Sequence, residues 1–326
     1  MRSRVIMVFA VVAVLLGGVL LVPAAYARLA GDDSSGGGGG GAESVAAPKP
    51  TPPPPPTLAA GPVSVAFKGQ FFSWALMDRQ TGKVSGSPNM TSTNSTESMI
   101  KSWFAADYLR QLGGKPIPAA MKKNIAAAIR NSNDDAANAL YAADGKSATI
   151  KRLVSTCGLT DTAALTNASR GNVPAKYVGW WSFTRMSPRD AVRLGDCIGD
   201  GKAAGQTYTA YLLDEMSKVQ GSTADKDQQL KSGGGRWGII DGLPKSILAQ
   251  GPVSMKNGWT RLVYDNNWHV NCLAVTDKWS LAVMMRYPAS MPLSYGAQTC
   301  ASVATQLVTP QPGAALKVPQ QPVGKL

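Results

Sequence analysis

The chain has 326 residues, 44% hydrophobic and 16% charged, a globular balance that excludes a wholly disordered or fibrous protein and leaves room for one large domain or two small ones. Its formal net charge of +13 suits anionic surroundings, whether cell-wall polymer, acidic lipid or nucleic acid. With no basic helix and no basic patch interleaved with aromatics, nucleic acid is set aside as a partner.

Arg2 and Arg4 precede an apolar run, Val5–Val22, followed by Pro23 and the small-residue pattern Ala25-Tyr26-Ala27. This order reads as an export signal. The run is long for a cleaved signal and only just long enough to span a bilayer, so residues 1–28 are expected as a signal peptide or an N-terminal membrane anchor. Either way the rest of the chain is expected to be extracytoplasmic, secreted or held at the membrane. No cysteine follows the run, which sets aside a lipid-anchored form. Residues 29–62 carry the runs Gly36–Gly41 and Pro52–Pro56 and too few apolar groups to fold, so a disordered tether is expected there. Residues 309–326, rich in Pro, Gln and Gly, are expected as a disordered tail. The folded body is then 63–308.

Within it, Phe71–Asp78 reads as a strand, turned through Asp78-Arg79-Gln80-Thr81-Gly82-Lys83 into a second strand from Val84. Asn94, followed three residues later by Glu97, predicts a helix start with Asn94 as its cap. Trp103, Phe104, Leu109 and Leu112 continue an apolar stripe until Gly113-Gly114, so this helix is expected to be buried. It places Ser98 and Lys101 one turn apart on one face. A serine hydroxyl becomes nucleophilic when a neighbouring base takes its proton, and a lysine serves if burial or another cation lowers its pKa. The helix start adds N–H groups for a developing oxyanion. Further helices are predicted after Pro118, after Ser147 as a cap, and after Ser187-Pro188. Strands follow at 252–256, 259–264, 268–276 and 279–287, with turns at Asn257-Gly258 and Asn266-Asn267 and a last helix near 295–308. Strands at both ends with helices between them predict an α/β fold: an antiparallel sheet assembled from both chain ends, flanked by helices, with an inserted all-helical subdomain.

The cysteines Cys157, Cys197, Cys272 and Cys300 all lie in this body, and in an oxidising compartment an even count reads as disulfides. Three pairings are open; Cys157–Cys197 and Cys272–Cys300, each joining neighbouring elements, are favoured. A single histidine, His269, and the lack of C-x-x-C argue against zinc. His269 itself reads as a strand residue without catalytic duty. The tryptophans Trp103, Trp180, Trp181, Trp237 and Trp268 read as core, and Trp259 is the one placed to line a cleft.

Three stretches in order, Ser98-Met99-Ile100-Lys101, Ser132-Asn133-Asp134 and Lys256-Asn257-Gly258, resemble the S-x-x-K, S-D-N and K-T-G motifs of the class A β-lactamase and penicillin-binding superfamily. Asp-x-x-Thr-Gly in the first hairpin and Ala136-Ala137-Asn138 extend the resemblance, which covers nearly the whole body and implies the β-lactamase/transpeptidase-like fold. It implies an active-site-serine hydrolase without cofactor or metal, acting on a β-lactam or a peptidoglycan stem peptide, beside an anionic cell wall. Carried over, Ser98 is the acylated nucleophile, Lys101 its proton partner, and Ser132 the relay to the leaving nitrogen; Lys256 binds the substrate carboxylate and tunes Ser132. Asp134, Asn257, Gly258 and Trp259 are placed as substrate contacts, and Asn138 as a structural residue. The second motif has Asp134 where the family has an amide, and the third has Asn257 where the family has a hydroxyl. Each of these stretches also has a bland reading: the first as a Ser and a Lys three apart on a solvated helix, the second as a helix cap, the third as a hairpin turn.

Class A β-lactamases hydrolyse the acyl-enzyme with a glutamate on the loop after the helical subdomain. Here the matching loop, between Cys157 and Ser187, contains no Glu and one carboxylate, Asp161. The expectation is acylation at Ser98 with slow deacylation. The alternatives are an efficient β-lactamase, with Asp134 supplying the missing base, and a catalytically degenerate wall-binding protein with the same fold.

Overall fold

The computed structural model describes residues 54–228 and 233–309. The expected signal or anchor, most of the tether and nearly all of the tail lie outside the described residues. Among the described residues no helix is long and apolar enough to cross a membrane.

The elements, in order, are β1 (Phe71–Asp78), β2 (Val84–Gly86), β3 (Asn94–Ser95), a 3₁₀ turn over Glu97–Ile100, α1 (Lys101–Gln111), α2 (Ala119–Arg130), α3 (Asp134–Ala143), α4 (Ser147–Cys157), β4 (Arg185–Met186), α5 (Pro188–Gly199), α6 (Gln206–Ser217), α7 (Asp225–Gln228), α8 (Lys245–Leu248), β5 (Ser254–Met255), β6 (Gly258–Leu262), β7 (Asn267–Val275), β8 (Trp279–Pro288) and α9 (Leu293–Leu307). The main sheet runs β2-β1-β8-β7, with β5 and β6 both on the outer side of β7, all antiparallel. Both chain ends thus contribute strands, and α1 to α8 intervene.

β7 and β8 are buried along nearly their whole length because helices cover both faces. Leu273 lies against Gly195 of α5, where a Cβ would also strike Ser280 Oγ. Its neighbour Cys272 points the other way and is bonded to Cys300 of α9. The second disulfide ties the end of α4 to α5 through Cys157 and Cys197. Both expected pairings are present. Helix α1 is buried on all sides over Lys101–Asp107, and its one interior acid, Asp107, is compensated by Arg110, Arg152 and Thr149.

Four expectations are corrected. Asn94 is not a helix cap: it sits in β3, and its amide donates to Asn271 Oδ1 and Met285 O. Ser147 is the first residue of α4, not its cap, because the chain enters through Lys146 at φ 54°. Asn257-Gly258 is not a hairpin turn: β5 and β6 pair with β7 in one continuous register, so the third motif lies along a strand. The tether ends before residue 62, since Leu58 is buried and bridges Val308, and Thr309 donates to Thr57 O.

Candidate active site

Three elements carry the three motifs to one cleft of about 790 Å³. Ser98 lies in the 3₁₀ turn before α1, half-exposed at the cleft wall, and Lys101 opens α1 fully buried. Ser132 stands just before α3, whose cap is Asn133, its side chain accepting from Ala136 N. Lys256 follows β5 and is also fully buried. Both lysines converge on Ser132: Lys256 Nζ donates to its Oγ at 2.9 Å, and Lys101 Nζ reaches its carbonyl at 2.5 Å and its Oγ at 3.4 Å.

Two ammonium groups without water are costly, and the charges respond. Burial pulls Lys101 below the ordinary lysine pKa, against the opposing charges of Asp134 and Glu97. Lys256 is held well below it, by burial first and by the Lys101 charge second. The exposed carboxylate of Asp134 is spent on Lys101, at 2.5 Å, rather than left free at the cleft.

Backbone strain gathers at the same place. Of four non-glycine residues with positive φ among those described, two line the cleft: Glu97 at 48° and Ser132 at 56°. Gly258 must be glycine, because a Cβ there would sit 2.4 Å from Thr96 O and 2.8 Å from Ser98 N. Its role is the close approach of β6 to the Ser98 turn. Trp259 lines the cleft as expected, with Lys256 Nζ 5.8 Å from its ring centroid. Asn257, expected to meet the substrate, is turned away: it is 1% exposed, and its amide donates to Gly235 O and Trp237 O. Its side chain shares a strand face with Trp259, but those two carbonyls hold it against the segment at 235–237 and away from the cleft.

The loop between α4 and α5 forms the facing wall. Its carboxylate, Asp161, pairs with Arg189 at 2.7 Å, accepts from Ser187 Oγ, and does not line the cleft. The loop offers Trp181 instead, with Lys101 Nζ 5.4 Å from its ring centroid and its own Nε1–H donated to Asn138 Oδ1 at 2.9 Å. Trp180 is 57% exposed at the cleft and is not core as expected; Trp181 lines the cleft while packing against the core, and Trp103 and Trp237 are buried in it. Glu97, read from the sequence only as a capping residue, and Thr260, not singled out there, also line the cleft. Their adjacency to Ser98 and Trp259 was the only available signal.

No family model matches the chain, and no curated protein sequence matches it. Solved structures do match. A β-lactamase from Chitinophaga pinensis superposes with TM-score 0.53 at 16% identity, covering 72% of this chain and 91% of that one. PBP-A gives 0.52 at 14%, covering 73% and 89%. A point variant of PBP-A, solved as its acyl-enzyme complex with penicillin G, gives 0.51 at 15%, covering 72% and 87%. The chain therefore has the fold of the class A β-lactamases and PBP-A, as the motifs implied.

Proposed function

We propose that the chain is an exported active-site-serine hydrolase that is acylated at Ser98 by β-lactams or D-Ala-D-Ala-type peptides and releases the acyl group slowly. The observation that carries this reading is the convergence of two buried lysines on the hydroxyl of Ser132 beside Ser98. A fold that buries two lysines side by side sacrifices stability, and such groups cluster where proton transfer is needed.

In the proposed sequence Lys101, its proton affinity lowered by burial, accepts the proton of Ser98 as Oγ attacks the carbonyl carbon. The Ser98 N–H, at the start of the 3₁₀ turn, faces the developing oxyanion. Ser132, held by Lys256, passes its proton to the leaving nitrogen and takes in exchange the one that Lys101 received from Ser98, and Lys256 supplies the positive field for the substrate carboxylate. Hydrolysis then requires a water and a base on the loop side. Trp181 occupies the Lys101 face of that wall, and Asp161 is engaged elsewhere. Losing a general base costs about 10²–10⁴ in rate, which turns a brief acyl-enzyme into a persistent one.

Intact mass spectrometry after incubation with several β-lactams tests this. The expected result is a stable adduct of the full β-lactam mass, absent in Ser98→Ala, with little turnover of a chromogenic cephalosporin. Tens of turnovers per second would refute slow deacylation, and no adduct on folded protein would refute acylation.

A further inference from the structure

Behind Ser98 runs a buried polar chain that the acylation chemistry does not use. Glu97, 2% exposed, accepts from Ser95 Oγ at 2.6 Å. Ser95 Oγ also meets His269 Nδ1 at 2.7 Å, and His269 Nε2 meets Asp265 Oδ2 at 2.8 Å. The chain leads from the cleft wall to Asp265, whose side chain is 22% exposed. Two segments far apart in sequence, 95–97 and 265–269, are brought together to make it.

One hydroxyl between a carboxyl and an imidazole permits two arrangements. In the first, Ser95 donates to an ionised Glu97 and accepts from His269 Nδ1–H, while Nε2–H donates to Asp265, so the imidazole is cationic. In the second, Ser95 has given its proton to Glu97 and taken the one on Nδ1. Glu97 is then a neutral acid donating to Ser95, which donates to a neutral imidazole whose Nε2–H still faces Asp265. Protons and total charge balance, and every hydrogen bond survives.

We propose that Glu97 and His269 share one proton through the Ser95 hydroxyl, and that its residence on Glu97 keeps the wall behind Ser98 uncharged while the oxyanion forms. Glu97 is thus a positioning residue for charge, and the inference rests on the reading of Ser98 as the acylated group.

Burial, the largest influence on Glu97, raises its pKa, favouring the neutral acid; His269, Ser95 and Thr260 pull it down, and Asp134 pushes it up. The groups facing it are Ser95 on β3, Thr260 on β6, His269 on β7, Asp134 on α3 and Lys101 on α1. Beyond them, Arg185 and Arg286 stand opposite Ser95 and His269 in register, and Tyr264 lies beside Asp265 and the His269 ring. An ionised Glu97 would act twice against acylation. It would oppose negative charge forming at the neighbouring residue, and its charge holds the proton on Lys101, which must be free to accept one.

Two measurements test the proposal. The first follows the rate of labelling by a fluorescent penicillin against pH. Expected in the parent is a rise as Lys101 loses its proton, then a fall of about tenfold or more at higher pH as the shared proton is lost. In Glu97→Gln, which cannot ionise, that fall disappears. The second follows the ring-nitrogen NMR signals of His269, readable directly because it is the only histidine in the chain. Their pH course is expected to differ between the parent and Glu97→Gln. Profiles of the same shape in both proteins would overturn the role in acylation. If neither protein is labelled, the acylation reading itself fails and the NMR decides: identical His269 curves overturn the shared proton, and altered curves sustain it. Should Glu97→Gln fail to fold by circular dichroism, Ser95→Ala cuts the same bridge and is expected to change the His269 signals; no change there overturns the proposal.

Discussion

The two walls of the cleft are built from opposite materials. On one, Lys101, Ser132 and Lys256 are polar, buried and joined by hydrogen bonds that meet at Ser132, beside a half-exposed Ser98. On the other, the loop between α4 and α5 presents indoles and turns its carboxylate outward to Arg189. Under the proposed function, the difference separates the machinery for attack from that for hydrolysis. Attack needs groups organised around one serine, whereas hydrolysis needs a base held on a separate element. Each half can therefore change without the other.

The largest expected effect that tests this division is on the lysine wall. Lys101→Arg keeps the charge but cannot give up its proton, and labelling by penicillin is expected to slow by about 10²–10⁴. An unchanged rate would remove Lys101 as proton acceptor. Next is the clip behind the loop. Replacing Cys157 and Cys197 by serine opens a link spanning 40 residues, and a loss of about 4 kcal/mol is expected in urea unfolding. A loss below about 1 kcal/mol would mean that the loop is held by its own packing.

Trp181→Ala sharpens the comparison from the loop side. Opening the face over Lys101 admits water, and a lifetime of the penicillin adduct about tenfold shorter is expected by mass spectrometry over time. A longer or equal lifetime would show that the indole does not exclude the water. The smallest expected effect is on stability. A lysine whose folded pKa lies below its unfolded value binds fewer protons when folded. Stability therefore rises with pH between the two values, and the burial penalty is full below the folded one. Lys256, well below the ordinary value, contributes that penalty at neutral pH. Lys256→Met is expected to raise the melting temperature by about 2–4 °C, most clearly at lower pH, while abolishing acylation. A fall in melting temperature at every pH would show that its hydrogen bonds to Ser132 and Asn257 O outweigh its burial.

Much of the site was legible before folding because its signals are local. Ser98 and Lys101 are one turn apart, Ser187-Pro188 caps α5 through a bond to Asp190 N, and both cysteine pairs join neighbouring elements. Short polar motifs misled where long-range partners compete for the same side chain. Asn94 and Glu97 have the spacing of a capping box, yet Asn94 is claimed by Asn271 and Met285, and Glu97 by Ser95. Asn257-Gly258 has turn chemistry, but pairing with β7 continues through it.

The sequence by itself determined which chemistry is possible: a serine three residues from a lysine, two further motifs in order, and no glutamate in the loop. The tertiary structure alone decided that Trp181 covers Lys101, that Asn257 faces the interior, and that Ser95 meets a histidine 174 residues away. The physical reason is that spacing fixes only which side chains share a helix turn or a strand face. Burial, and the partner that must satisfy each buried polar group, are settled between elements distant in the chain.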